Sequence, residues 1–144
     1  QDYKKLIPLE DEMSNLEKYL DIEKMRFGSK IQFEKIWEGN CNQMKIPALI
    51  LQPLLENAIK YGLQGNVEQV HIKMNCYQEQ HQLNIEIQNN YDDKSAHRKG
   101  SGTGLYTVRK RLEILFKQYH LFNVEKKNAI FRVRLIIPQN VKTD

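Results

Sequence analysis

Leu51-Gln52-Pro53-Leu54-Leu55-Glu56-Asn57-Ala58-Ile59-Lys60-Tyr61-Gly62 is the stretch on which the fold turns. At about 3.6 residues per turn it predicts a helix with two unlike sides. Leu51, Leu54, Leu55, Ala58 and Ile59 form an apolar stripe, while Pro53, Asn57, Lys60 and Tyr61 share the adjoining side. The stripe suits a core and the polar side a ligand. Helix propensity offers no reason for an asparagine among leucines. Proline is tolerated only in a first turn, so the helix is expected to begin near Leu49 or Ile50. Gly62 is the expected stop, because glycine accepts the left-handed conformation that closes many helices.

Further on, Lys99-Gly100-Ser101-Gly102-Thr103-Gly104-Leu105 runs into Tyr106-Thr107-Val108-Arg109-Lys110-Arg111-Leu112. Glycines at alternate positions leave backbone N–H groups unobstructed, and a following helix presents its positive end, a combination that suits phosphate. Alone, the run would serve equally as a flexible linker. A polar-sided helix elsewhere in the chain favours phosphate.

The two stretches, ILQPLLENAIKYG (residues 50–62) and GSGTGLYTVRKRL (100–112), resemble the asparagine box and last glycine box of the nucleotide-binding superfamily of gyrase, the heat-shock chaperone, histidine kinases and MutL. With PLEDEMSNLEKYLDIEKMRFG (8–28), their spelling is similar to the LytS-type sensor histidine kinases, in order over nearly the whole chain. The resemblance implies an ATP-binding catalytic domain. Asn57 would bridge Mg2+ to the phosphates, Lys60 would add charge beside them, and Tyr61 would lie against the adenine or ribose edge. Gly100, Gly102, Thr103, Gly104 and Leu105 would form the phosphate loop, with Arg98 and Lys99 in a closing lid.

Two positions depart from the superfamily. Asn89 stands where the adenine-reading aspartate of an Asp-x-Gly-x-Gly box is usual, and the chain continues Asn90-Tyr91 without glycine. Pro53 stands where members that hydrolyse ATP carry a glutamate base, so water activation is expected to be poor. Glu56, about 100° round the helix from Asn57, is the catalytic candidate for orienting an incoming histidine; a surface salt bridge is its alternative. The resemblance further implies a phosphoacceptor histidine on the protein's own dimerisation region, a homodimer at full length and a response regulator as partner. It also implies a cytoplasmic domain of an inner-membrane sensor, joined to the membrane through segments before Gln1. The rival reading is a nucleotide-gated interaction module without phosphoryl transfer.

Composition agrees with one globular domain: 144 residues, 40% hydrophobic and 28% charged. Gln1 in place of an initiator methionine is expected of a fragment. No apolar run approaches the roughly 20 residues that span a bilayer. The net charge of +4 comes from scattered residues, apart from clusters at 94–99 and 109–111. Neither cluster interleaves aromatics as single-strand binders do, so no nucleic-acid partner is expected. Cys41 and Cys76 have no metal-ligand spacing and read as reduced, inert thiols. His71, His81, His97 and His120 form no metal motif and lie in no family-like acceptor helix.

In chain order, Leu9, Met13, Leu16 and Leu20 predict an amphipathic helix over 9–25, with Glu10, Asp11 and Glu12 complementing its dipole and Gly28 ending it. The resemblance makes residues 1–28 a linker helix from a dimerisation region. Ile31, Phe33, Ile36 and Trp37 suggest an irregular strand, and 44–46 a short extended piece. Val70, Ile72 and Met74 alternate, as do Leu83, Ile85 and Ile87, giving a hairpin. Residues 89–100 lose all periodicity and read as a mobile lid. Val108, Leu112, Leu115 and Phe116 give the next helix its apolar side. A closing hairpin follows over 121–125 and 129–138 around Lys126-Lys127-Asn128, then a frayed tail over 139–144. The expected fold is α+β: a two-layer sandwich over 29–138 with a mixed, mostly antiparallel sheet and helices on one face.

Overall fold

A computed structural model of the chain describes residues 5–38, 40–65, 67–92 and 103–139. Among them run β1 (Leu6–Pro8), α1 (Leu9–Phe27), β2 (Ile31–Trp37), β3 (Lys45–Pro47), α2 (Gln52–Leu63), β4 (Val70–Glu79), β5 (Gln82–Asn90), α3 (Thr103–Phe116), β6 (Phe122–Lys127) and β7 (Ile130–Pro138). Five strands form one sheet in the order β2-β4-β5-β7-β6, and β1 pairs with β3 in a separate ribbon. The large sheet is antiparallel except for β2 beside β4. That parallel pair needs a crossover, which α2 supplies. The expected mixed sheet with a helical layer on one face is what forms.

Alternation in the strands decides which face is covered. Met74, Ile87 and Val133 stand in one cross-strand row and Cys76, Ile85 and Leu135 in the next, all buried. Leu9, Met13, Leu16 and Leu20 of α1, Leu54, Leu55, Ala58 and Ile59 of α2, and Val108, Leu112 and Phe116 of α3 complete the same core. The helix over 9–27 is thus packed into the sandwich. Gly28 closes it at φ 57°, its N–H donating to the Lys24 carbonyl.

Both hairpins turn through two consecutive residues of positive φ, Gln80-His81 and Asn128-Ala129, the twist that matches flanking strands. The second turn is therefore shorter than expected, and Lys126 and Lys127 belong to β6. Four other expectations are corrected. Helix α2 begins at Gln52, not near Leu49 or Ile50, because Leu49 takes φ 63° and breaks the helical path. Gly62 lies inside α2; a Cβ there would stand 2.5 Å from Val70 Cγ1, so close packing of helix on sheet demands the glycine. Ile36 lies on the opposite sheet face from Ile31, Phe33 and Trp37 and is exposed. Gln139, expected in the frayed tail, exchanges hydrogen bonds with the Lys45 backbone at 2.7 and 2.9 Å. Cys41 and Cys76 are free and buried, and burial pushes both thiols up.

Candidate functional site

The polar side of α2 meets the sheet where β5 and β7 approach their ends. Asn89 continues the inward series Leu83, Ile85, Ile87, and it pairs across the sheet with Ile72 on one side and Phe131 on the other. The Tyr61 ring lies 4.8 Å from the Phe131 ring and meets Tyr91 edge-on at 5.4 Å. Asn57 stands one turn before Tyr61 on the same side of the helix. Sequence periodicity brought Asn57 and Tyr61 together; the structure adds Asn89, Tyr91 and Phe131.

Three buried polar atoms here have no hydrogen-bond partner: Asn57 Nδ2, Tyr61 Oη and Asn89 Oδ1. Asn89 is 1% exposed, and its Nδ2 donates to the Asn90 carbonyl at 2.9 Å, which leaves the oxygen as an unused acceptor. A buried polar group left unpaired costs about 1–3 kcal/mol, and native proteins contain few.

Lys126 was not anticipated here. From β6 its ammonium stands 4.9 Å from the Tyr61 ring centroid and 5.7 Å from that of Phe131, adding positive charge over the aromatic group. Its register opposite Phe131 places it there. Tyr91 could have been foreseen, since it is two residues beyond Asn89 and shares its side of the strand.

No family model matches the chain. It is 26% identical over 149 residues to the sensor protein LytS of Bacillus cereus, covering 94% of this chain and 25% of that protein. With the sensor histidine kinase BtsS of Escherichia coli it shares 31% identity over 133 residues, 92% of this chain and 24% of BtsS. Its fold matches the histidine kinase AdeS of Acinetobacter baumannii at a TM-score of 0.69 and 14% identity, over 95% of this chain and 68% of that one. The catalytic domain of the histidine kinase ThkA superposes at 0.65 and 17% identity, over 94% and 96% of the two chains. The chain is a relative of the LytS and BtsS sensor histidine kinases, and its fold is that of histidine kinase catalytic domains. It spans about a quarter of the length of the sensors it matches.

The remaining candidate residues are more widely spread. Lys60 is exposed one helical turn beyond Asn57. Glu56 is exposed and accepts a hydrogen bond from Gln52 Nε2 at 2.9 Å. Its charge acts on Tyr19 of α1, whose phenol is pushed up to about 12 by burial and then by Glu23 and Glu56, with Arg26 opposing. Glu56 stands about 100° round α2 from Asn57. Gly104 belongs to the first turn of α3, and a Cβ there would come within 4.0 Å of Pro53 Cβ, so the start of α3 lies against the start of α2. Leu105 is half-buried against the core. Thr103 opens α3; Arg98, Lys99, Gly100, Ser101 and Gly102 lie outside the described residues, as does most of the expected lid.

The uncovered face of the sheet is different. A groove of about 520 Å3 crosses it, lined by Gln32, Glu34, His71, Lys73, Gln88 and Asn90 among others. Asn90 accepts from the His71 N–H at 2.7 Å and donates to the Gln69 carbonyl at 2.9 Å. Those contacts spend its polar atoms on holding strands together. Among the described residues no helix is long and apolar enough to cross a membrane.

Proposed function

We propose that this domain binds ATP with Mg2+ on the side of α2 that carries Asn57, Lys60 and Tyr61, and presents the γ-phosphoryl group to a histidine on a separate dimerisation helix. The observation that carries this is the set of buried, unpartnered atoms of Asn57, Tyr61 and Asn89. The residues suit the ligand. An asparagine amide offers a neutral oxygen, and oxygen is what Mg2+ takes. Bound there, Mg2+ would supply neutralisation of phosphate charge.

Asn89 Oδ1 would accept from the exocyclic amino group of adenine. The rings of Tyr61, Tyr91 and Phe131 offer an apolar wall for the base, and Lys60 and Lys126 add positive charge. Gly100, Gly102 and Gly104 would cradle phosphate through backbone N–H groups, with Thr103 and Leu105 leading into α3. In the transfer a histidine ring nitrogen bonds to the γ-phosphorus as the bond to the bridging oxygen breaks and ADP leaves. Pro53 has no group that could take a proton from water, so the site would favour positioning over hydrolysis. Glu56 would orient the incoming histidine or serve only as a surface polar group. At full length we propose a homodimeric sensor of the inner membrane, with this domain in the cytoplasm and a response regulator receiving the phosphoryl group.

The test is thermal. Mg-ATP should raise the melting temperature of the chain by mass action, and Asn57→Ala should abolish the magnesium-dependent part. Equal shifts with and without magnesium, or an unaffected variant, would remove Asn57 from the site. With radiolabelled ATP, label should appear on a histidine of an added dimerisation segment and not on His71, His81, His97 or His120.

A further inference from the structure

Helix α2 has no cap of its own. The first turn of any helix leaves N–H groups without intrahelical partners, and Ala48-Leu49-Ile50-Leu51 contains no residue able to bond them through a side chain. Its N-cap residue, Leu51, makes no side-chain capping bond. The approach is also strained, since Leu49 sits at φ 63°, a region disfavoured for a residue with a Cβ.

The approach itself, residues 49–51 just ahead of α2, is held from another helix. Glu12 of α1 accepts from the Leu49 N–H through Oε1 at 3.0 Å, and from the Ile50 and Leu51 N–H groups through Oε2 at 2.9 and 3.1 Å. Glu12 is 2% exposed. On the other side of the same segment, Arg111 Nη2 of α3 donates to the Ala48 carbonyl at 2.9 Å. Two helices thus hold the four residues that set where α2 starts. Hydrogen bonds to a carboxylate are roughly twice as strong as neutral ones, and no neutral side chain of similar size offers four lone pairs in one plane.

We propose that Glu12 is a positioning residue for the nucleotide site: it sets the seat of α2, and so the placement of Asn57 and Tyr61, from a helix that touches no ligand. This rests on the reading of α2 as the nucleotide helix. Glu12→Gln keeps the shape but turns an NH2 toward backbone donors, and Glu12→Asp keeps the charge but shortens the reach. Leu20→Ala, on the same helix and remote from α2's start, serves as the control for simple loss of stability. In Glu12→Gln, amide exchange at 49–51 and in the first turn of α2 should quicken about tenfold or more, and the Asn57 side-chain amide resonances should shift. ATP affinity of the folded protein should fall about tenfold. Glu12→Asp should restore part of both, and Leu20→Ala should leave both within about twofold of the parent. An unmoved Asn57 resonance, or an ATP affinity that follows overall stability equally in Glu12→Gln and Leu20→Ala, would overturn the assignment. A parent that binds no ATP would sink the nucleotide reading instead, and the Asn57 resonance would then decide Glu12 alone.

Discussion

The two faces of β5 treat polar groups in opposite ways. On the uncovered face, Glu86 bridges Arg132 at 3.4 Å and Arg134 at 3.2 Å, Gln88 receives Arg132, and Asn90 pairs with the backbone of β4 and its approach. Partners are plentiful there although water would have served. On the covered face a single asparagine, Asn89, keeps an unpaired oxygen where no water reaches it. Polar groups that serve the fold find partners. The one that does not stands where isolation costs most, and under the proposed function it would wait for the ligand.

Asn89→Leu breaks the comparison most directly. Removing the orphan oxygen while filling the same space should stabilise the ligand-free domain by about 1 kcal/mol, read as a higher melting temperature, yet lower ATP affinity by tenfold or more. A variant that is both less stable and equally good at binding would mean that Asn89 serves the strand alone. Asn89→Asp sharpens the comparison without removing the acceptor. An amide can rotate and donate to the guanine oxygen whereas a carboxylate only accepts, so competition binding should show the preference for ATP over GTP rising about tenfold; an unchanged ratio would move base recognition elsewhere. The smallest effect belongs to the open face. Glu86→Ala should cost about 1 kcal/mol or less, since exposed ion pairs contribute little, and ATP affinity should stay as it was. A loss of binding there would erase the distinction between the faces.

Much of this was legible in residue order. Period-2 alternation marked both hairpins, and the 3.6 period separated the apolar stripe of α2 from Asn57 and Tyr61. Gly28 was foreseen as a stop and is one. Gly62 was foreseen for the wrong reason, because a glycine kept for φ and a glycine kept for close approach look alike in a string of letters; only Val70 at 2.5 Å distinguishes them. Strand β1 escaped notice because three residues carry no usable period, and its pairing with β3 is a long-range contact.

Local spacing by itself determined the elements, since hydrophobic periodicity reports which side of each helix or strand meets a core. It also determined that α2 presents an amide and a phenol on its second side. What tertiary structure alone decided is which polar atoms are paired. Glu12 reads locally as an acid complementing its own helix dipole, yet the N–H groups it binds lie 37 to 39 residues further on. Asn89 and Asn90 are neighbours of the same residue type, and the pleat sends Asn90 to the backbone of Gln69 and His71 while the Asn89 oxygen is left buried and unpaired. Hydrogen bonding depends on distances of about 3 Å between atoms, and such distances between remote segments exist only after the chain has folded.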